Sequence, residues 1–325
     1  MKIKSLFGEN SIKVATYILV VTLFMSNILG VLRDHFLAQK IPTDMLDTYF
    51  AAFRIPDLVF NVIILGAISA AFIPIFSNLL VEGGDDEAKK VANTIISTGF
   101  VVIFIACVIL YFLMPLLIPQ LTPYFSIEKV KLTISLSRLL LFSPIIFSIS
   151  YFFTGILNSY KKFLVTSLAP LLYNLSIILG TLLFSNRYGV WGPVIGVIIG
   201  AVFHMLIQLI PLTKMGFRLK VRINFFDPIV KRVVKLMIPR SIGLGANHIL
   251  LIVFTAIASG LQNGAISIYS LADNIQTMPT VVFGTSVATA LFPTLSQAVS
   301  LNKVVDISNY LQKAILSILY YLIPI

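Results

Sequence analysis

The sequence predicts an all-α, polytopic membrane protein, and three observations predict it. Hydrophobic residues make up 58% of the 325 and charged residues only 11%, with a mean hydropathy of +0.98. Nine mainly apolar segments of 19 or more residues begin near positions 14, 47, 91, 131, 164, 191, 233, 266 and 307. About 20 such residues cross a bilayer core as a helix, the form that satisfies the backbone internally. The third observation is a sidedness of charge. With alternating segments and a cytoplasmic N-terminus, inside positions hold Lys2, Lys4, Lys13, Lys89, Lys90, Lys161, Lys162, Lys303 and the basic run from Lys214 to Lys235. Outside loops hold only Lys40, Lys129, Lys131 and Arg187. The positive-inside rule therefore predicts a cytoplasmic N-terminus in the cytoplasmic membrane. It also accounts for the net charge of +11 without any nucleic-acid partner.

Segment one follows a basic start, but its apolar run is long and no small-residue cleavage site precedes Arg33-Asp34, so it reads as a span and not a signal peptide. It ends in SNILGVLRDHFLAQK (26–40), and segment two begins PTDMLDTYFAAFRIPDLVFN (42–61). Asp44 is placed to cap segment two, with Asp47 in the third position of a capping box. Asp47 and Arg54 share a helix face, and Arg54 and Asp57 are three apart and able to pair. Pro56 removes a backbone donor and should kink the helix beside Arg54. Segment three carries Cys107, the only cysteine, which excludes intramolecular disulfides and thiolate metal clusters. Arg138 on segment four and Arg240 on segment seven, after Pro239, read either as interface anchors or as substitute cavity cations. His35, His204 and His248 lack metal-ligand spacing, and the latter two suit hydrogen bonds between helices. Cytoplasmic loops are predicted near 81–90, 158–163, 213–233 and 299–306, and outer loops near 39–46, 119–130, 186–190 and 261–265.

The longest polar interruption, 214–235, divides the chain into a first lobe of six spans (1–213) and a second of three (236–325). Within it, Asp227-Pro228 reads as an N-cap and first helical residue. The run itself is either a connector with affinity for anionic lipid or a hinge between lobes. An internal repeat supports two lobes. At an offset of 219, GAISAAFIPIFSN (66–78) falls on TSVATALFPTLSQ (285–297), and Arg54 falls on Asp273. Both copies begin after an even number of spans, so the halves should be parallel repeats. Under that offset position 325 maps to about 106, and YYLIPI ends inside an apolar run. The second lobe is thus expected to be partial, with roughly three to five further helices.

An ionisable group within a span costs at least ~2.5–3.5 kcal/mol unless paired or hydrated. Arg33, Asp34, Asp47, Arg54, Asp57, Arg138, Arg240 and Asp273 all lie in or at the rims of spans, which predicts a hydrated internal cavity. Arg54 either bridges to Asp57 or snorkels to the outer interface, or with Arg33 it lines that cavity and holds an anionic headgroup through planar forks.

The stretch SNILGVLRD, then DTYFAAFRIPDL, then GAISAAFIP resembles the N-terminal signature of the MurJ (MviN) lipid II flippase family of the MOP exporter superfamily. APLLYN (169–174) and SIYSLADNIQTMPTVVFGTSVATALFPTLSQ (267–297) are similar to later elements of the same pattern, in order. The resemblance implies a MOP-exporter-like helical bundle with a six-helix N-lobe and a partial C-lobe around a central cationic cavity. It implies alternating access that carries a polyprenyl-diphosphate-linked sugar across the inner membrane. The substrate-binding residues so implied are Arg33, Asp34, Asp47, Arg54 and Asp273. Four positions depart from the pattern. Asn27 and Asn274 stand where arginines are expected, Phe60 or Asn61 falls on a third, and Leu65 replaces an acid. Asparagine removes charge and fork but keeps a hydrogen-bonding amide, so Asn27 and Asn274 stay in the binding set of a thinned cationic cavity.

Three classes stand at this point. The first is a flippase for lipid II or another lipid-linked glycan. The second is a cation-coupled exporter of the MATE type, using Na+ or H+, although Asp273 is the only clear acid in segments three to nine. The third, a membrane enzyme, is excluded because the outer loops offer only scattered residues such as Lys40, Asp44 and Glu128 and no acid–base constellation. A scaffold with a degenerate transport site stays open beside these. The expected partners are a lipid-linked oligosaccharide and membrane lipids around a monomer, with no cofactor beyond a coupling ion.

Overall fold

The computed structural model describes residues 12–66 and 71–279, with Leu311, Gln312, Ile315, Leu316 and Leu319 beyond. Eight of the nine predicted segments fall on described helices. The ninth segment is described only at those five positions, and the loop at 299–306, the repeat copy at 285–297 and part of the copy at 66–78 lie outside the described residues.

The first helix, Ile12–Lys40 (α1), stops because Pro42 follows, and Pro42 starts Thr43–Val59 (α2). Asp44 makes no cap bond there, so the predicted capping box is absent: Pro42, in extended conformation, holds the cap position and its carbonyl accepts the first helical N–H groups. Past Pro56 the helix does not break. Its winding loosens at Phe60–Leu65 into a π-helical turn, and the Asn61 amide donates back to the Asp57 carbonyl at 2.9 Å. After Ile73–Glu82 (α3), Gly84 with φ +80° reverses the chain into Gly84–Leu121 (α4), whose first turn carries Asp85, Asp86 and Glu87 at the positive end of its dipole. Ile127–Leu140 (α5) is capped by Ser126 and joins Phe142–Ser159 (α6) across Leu141. Phe163–Tyr188 (α7) and Trp191–Lys214 (α8) follow, joined by Gly189 at φ +55°. Asp227 caps Pro228–Ala258 (α9) as predicted, accepting the Ile229 N–H at 2.8 Å, and Ala265–Pro279 (α10) comes next. Six helical stretches among the described residues are long and apolar enough to cross a membrane.

Packing follows side-chain size. α7 and α8 make the most intimate pair because Gly180 faces Gly192 and Gly196 with backbone against backbone. A Cβ on Gly180 would lie 2.7 Å from the Gly196 Cα. Small residues at four-residue spacing (Gly192, Gly196, Gly200) allow that approach, the usual route to tight contact where lipid supplies no hydrophobic drive. α1 lies on α7, α6 on α8, α5 on α2 and α4 on α6. His204 of α8 is bonded between helices, as the sequence suggested. Its Nδ1 is 2.6 Å from the Ser150 hydroxyl of α6, and Gln208 and Thr154 complete the buried network. The helices after residue 227 close over this bundle. α9 crosses the π-turn, where the Ser241 hydroxyl donates to the Val62 carbonyl that the loosened winding leaves available, and α10 packs on α2.

Candidate functional site between the two sets of helices

A cavity of about 250 Å³ lies where α1, α2 and α7 face α9 and α10. On α2, Tyr49, Phe53 and Asp57 recur at four-residue spacing and point inward, with Arg54 beside them. On α10, Ser270, Asp273 and Asn274 fall on one face by the same geometry. Arg33 and Asp34 of α1 form the third wall.

The two arginines differ in what they have left to give. Arg33 sends Nε and Nη2 to the Asp34 carboxylate, each at 2.8 Å, and Nη1 to the Asn174 side-chain oxygen at 3.1 Å. Asp34 is itself buried and accepts from the Asn274 amide at 2.9 Å, which links α1 to α10. Arg54 donates Nε to Thr255 at 2.8 Å and Nη2 to Ser270 at 3.0 Å. Both partners are neutral hydroxyls, and Nη1 has no partner among the described residues. The predicted Arg54–Asp57 bridge is not formed: the ion pairs among the described residues are Arg33–Asp34 and Lys89–Asp85. Arg54 points across to α9 and α10, while the carboxylates of Asp57 and Asp273 line the same cavity without hydrogen-bond partners among the described residues.

Asp47, placed in the binding set by the resemblance, lies outside this cavity and lines another with Asp44, Lys129 and Asn263. It is 3% exposed and sits toward the α1–α2 turn. There one carboxylate oxygen accepts the Gly264 N–H at 2.7 Å, and the other accepts the Ser267 N–H at 2.8 Å and its hydroxyl at 2.7 Å. The acid thus caps the N-terminus of α10 from another helix, where the helix dipole favours negative charge. Gly264 holds φ +90° there, and a Cβ would meet Thr43 at 3.1 Å. Asn27 lines an adjoining cavity of about 230 Å³, walled by α1 and α10, that shares Arg33, Asp34, Asn174 and Asn274 with the first cavity or its network. Its own amide donates to the Leu23 carbonyl. Arg138 packs over the Tyr111 ring at 4.6 Å and donates to the Tyr111 carbonyl, so it is no substitute cation. Arg240 is exposed and lines neither cavity.

The lining therefore opposes two arginines with three aspartates (34, 57 and 273), and the expected cationic cavity is formally acidic. Asp34, already in the implied binding set, and Asp57, read from the sequence as a partner for Arg54, supply that acid. Sequence reasoning also missed Tyr49, Asn174, Thr255 and Ser270. Tyr49, Asn174 and Ser270 lay within DTYFAAFRIPDL, APLLYN and SIYSLADN, motifs that could have pointed to them, and Thr255 lay in none.

A profile of the family described as "Lipid II flippase MurJ" matches residues 42–325. The chain belongs to the MurJ family. A relative from Rhizobium tropici, named "Probable lipid II flippase MurJ", is 29% identical over 309 residues, covering 92% of this chain and 58% of its own length. The chain thus spans well under two thirds of that MurJ relative. A solved structure described as "Lipid II flippase MurJ, inward closed conformation" superposes with a TM-score of 0.77 at 26% identity, covering 93% of this chain and 62% of that one. A multidrug resistance MATE family transporter of the MOP superfamily, in an inward-facing conformation, shares the fold at a TM-score of 0.67 and 17% identity, covering 94% of this chain and 70% of that chain. The all-α bundle read from the sequence is therefore that of the MurJ family, with a fold shared by the MATE transporter.

Proposed function

We propose that the protein translocates a polyprenyl-diphosphate-linked sugar, of the lipid II class, across the cytoplasmic membrane by alternating access between a first lobe (1–213) and a second (from 236), without making or breaking covalent bonds. The observation that carries this reading is Arg54, a buried-side guanidinium with unspent N–H donors in a cavity between the two sets of helices. A diphosphate oxygen would take those N–H groups, in the charge-assisted geometry arginine suits. Tyr49, Asn174 and Asn274 offer polar edges to the sugar. The adjoining cavity between α1 and α10 gives the headgroup a path from the side while the polyprenyl tail stays in lipid. Arg33, matched by Asp34 and Asn174, holds the wall in place and leaves Arg54 as the ligand. The Asp47 cap, with Lys129 donating to Asn263 at 3.0 Å beside it, closes one end and must break for that end to open. By the positive-inside reading that end faces outward.

Complementation tests this. In cells depleted of their own lipid II flippase, the protein should restore growth, Arg54→Ala should not, and Arg54→Lys should do so in part. Equal rescue by all three would sink the assignment of Arg54. The acid-rich lining favours one second reading, a cation-coupled exporter in which Asp57 and Asp273 take a sodium ion or proton. Transport in vesicles that depends on a sodium or proton gradient, and not on the lipid-linked cargo, would select it.

A further inference from the structure

Between α8 and α9 the basic connector is neither loose nor helical. After a turn at Met215-Gly216, residues 217–224 run extended along α4, and side chains at four-residue spacing on that helix take up the backbone of the connector. Lys89 donates to the Met215 carbonyl at 3.0 Å, and Asn93 bonds both the Arg218 carbonyl (3.1 Å) and the Lys220 N–H (2.8 Å). Ser97 accepts the Arg222 N–H at 3.1 Å and Thr98 the Asn224 N–H at 3.1 Å. A helix face thus serves as the neighbouring strand. In an extended chain alternate residues turn their backbone groups to opposite sides. Arg218, Lys220, Arg222 and Asn224 turn backbone groups to α4, and Leu219, Val221 and Ile223 present N–H and C=O groups that have no partner among the described residues.

The side chains are equally unspent. Val221 is 80% exposed and Phe226 81%, with Leu219, Ile223 and Phe225 also exposed, and Arg218, Lys220 and Arg222 alternate with them. Lys231 of α9 sits over the Phe226 ring at 5.6 Å, and Arg232 and Lys235 are exposed close by. The ladder advances along α4 from Lys89 to Thr98, about 13 Å at the helical rise, toward Val102, Phe104 and Ile105, whose exposed apolar side chains mark the lipid-facing part of the span. The aromatic end of the strap therefore arrives at the boundary between water and hydrocarbon, and its cations lie in the layer above.

We propose that this strap is a membrane-interface anchor that binds anionic phospholipid headgroups through Arg218, Lys220, Arg222 and Lys231 while Phe225 and Phe226 enter the acyl boundary. Amphipathic segments with basic and aromatic residues bind anionic leaflets in this way. The inference rests on membrane placement alone and holds whatever the cargo is. To test it, Phe226→Trp is made in the full protein with Trp191, its only tryptophan, changed to phenylalanine. The variant is reconstituted in phosphatidylcholine vesicles containing a minor fraction of brominated phosphatidylglycerol or brominated phosphatidylcholine. Emission should be quenched by both lipids, more strongly by the anionic one. The triple change R218Q/K220Q/R222Q should cut the anionic preference at least about tenfold and leave quenching by phosphatidylcholine in place. Equal quenching by the two lipids, or none, overturns the proposal, and so does cross-linking of the strap between two copies through its open edge. Should the tryptophan variant misfold, trypsin cleavage of the unaltered protein after Arg218, Lys220 and Arg222 gives a second readout. Cleavage should slow when phosphatidylglycerol is included and recover at high salt, and an unchanged rate refutes the anchor.

Discussion

Asp47→Asn isolates the closure at the α10 end. The carboxylate accepts three hydrogen bonds with two oxygens, and asparagine keeps one oxygen and turns an NH2 toward a donor. Orienting that oxygen to Ser267 leaves the buried Gly264 N–H facing another donor. Loss of a charge-assisted bond is worth about 1.5–3 kcal/mol, and loss of the charge at a helix N-terminus about 0.5–1 kcal/mol more. The sum, about 2–4 kcal/mol, shifts an equilibrium between closed and open forms by roughly thirtyfold to several hundredfold. The assay places cysteines at Asp44 and Asn263, which line one cavity together with Asp47, and reads their separation by cross-linking or by spin-label distance distributions. The one native cysteine, Cys107, is buried and does not compete. The short-distance population should collapse in Asp47→Asn. An unchanged distribution would show that other contacts hold this end and that the Asp47 bonds are incidental to closure.

Arg54→Ala should weaken substrate engagement roughly ten- to a hundredfold, with partial recovery in Arg54→Lys, measured as flipping of labelled lipid-linked substrate in vesicles. Gly264→Ala forces a side chain into φ +90° against Thr43, and should loosen the same closure by about 1–3 kcal/mol, seen in the cysteine-pair distances. Gly180→Val meets the backbone of Gly192 and Gly196, which cannot swing aside, so a loss of about 3 kcal/mol should appear as a lower thermal midpoint in detergent. Asn27→Arg adds a cation to the adjoining cavity. If lipid II is the cargo and lost arginines limit it, rescue of flippase-depleted cells should improve, and no change argues for another glycan.

The spans were legible because each is written locally in an apolar run, and the Asp227-Pro228 start of α9 because cap and proline act within one turn. Arg54 could not be read so: its partners Thr255 and Ser270 lie 201 and 216 residues on, and only the packing of α9 and α10 over α2 selects them above Asp57, three residues away. Asp47 illustrates the same limit. Its local rule, an acid in the first turn of its own helix, was overruled by a second helix that starts beside it and needs an acceptor more. The π-turn after Pro56 has no sequence signature beyond the proline, and the charge of the cavity depends on which acids face inward.

The ladder that holds residues 215–224 against α4 sets a tether length. What remains free between it and the first turn of α9 is Phe225, Phe226 and Asp227, and three extended residues reach only about 10 Å. Val230 and Val233 of α9 are themselves buried against the first set of helices. On such a short leash the later helices can swing about this corner of the molecule but cannot slide away from it. Any excursion longer than that has to peel the strap from its helix one hydrogen bond at a time.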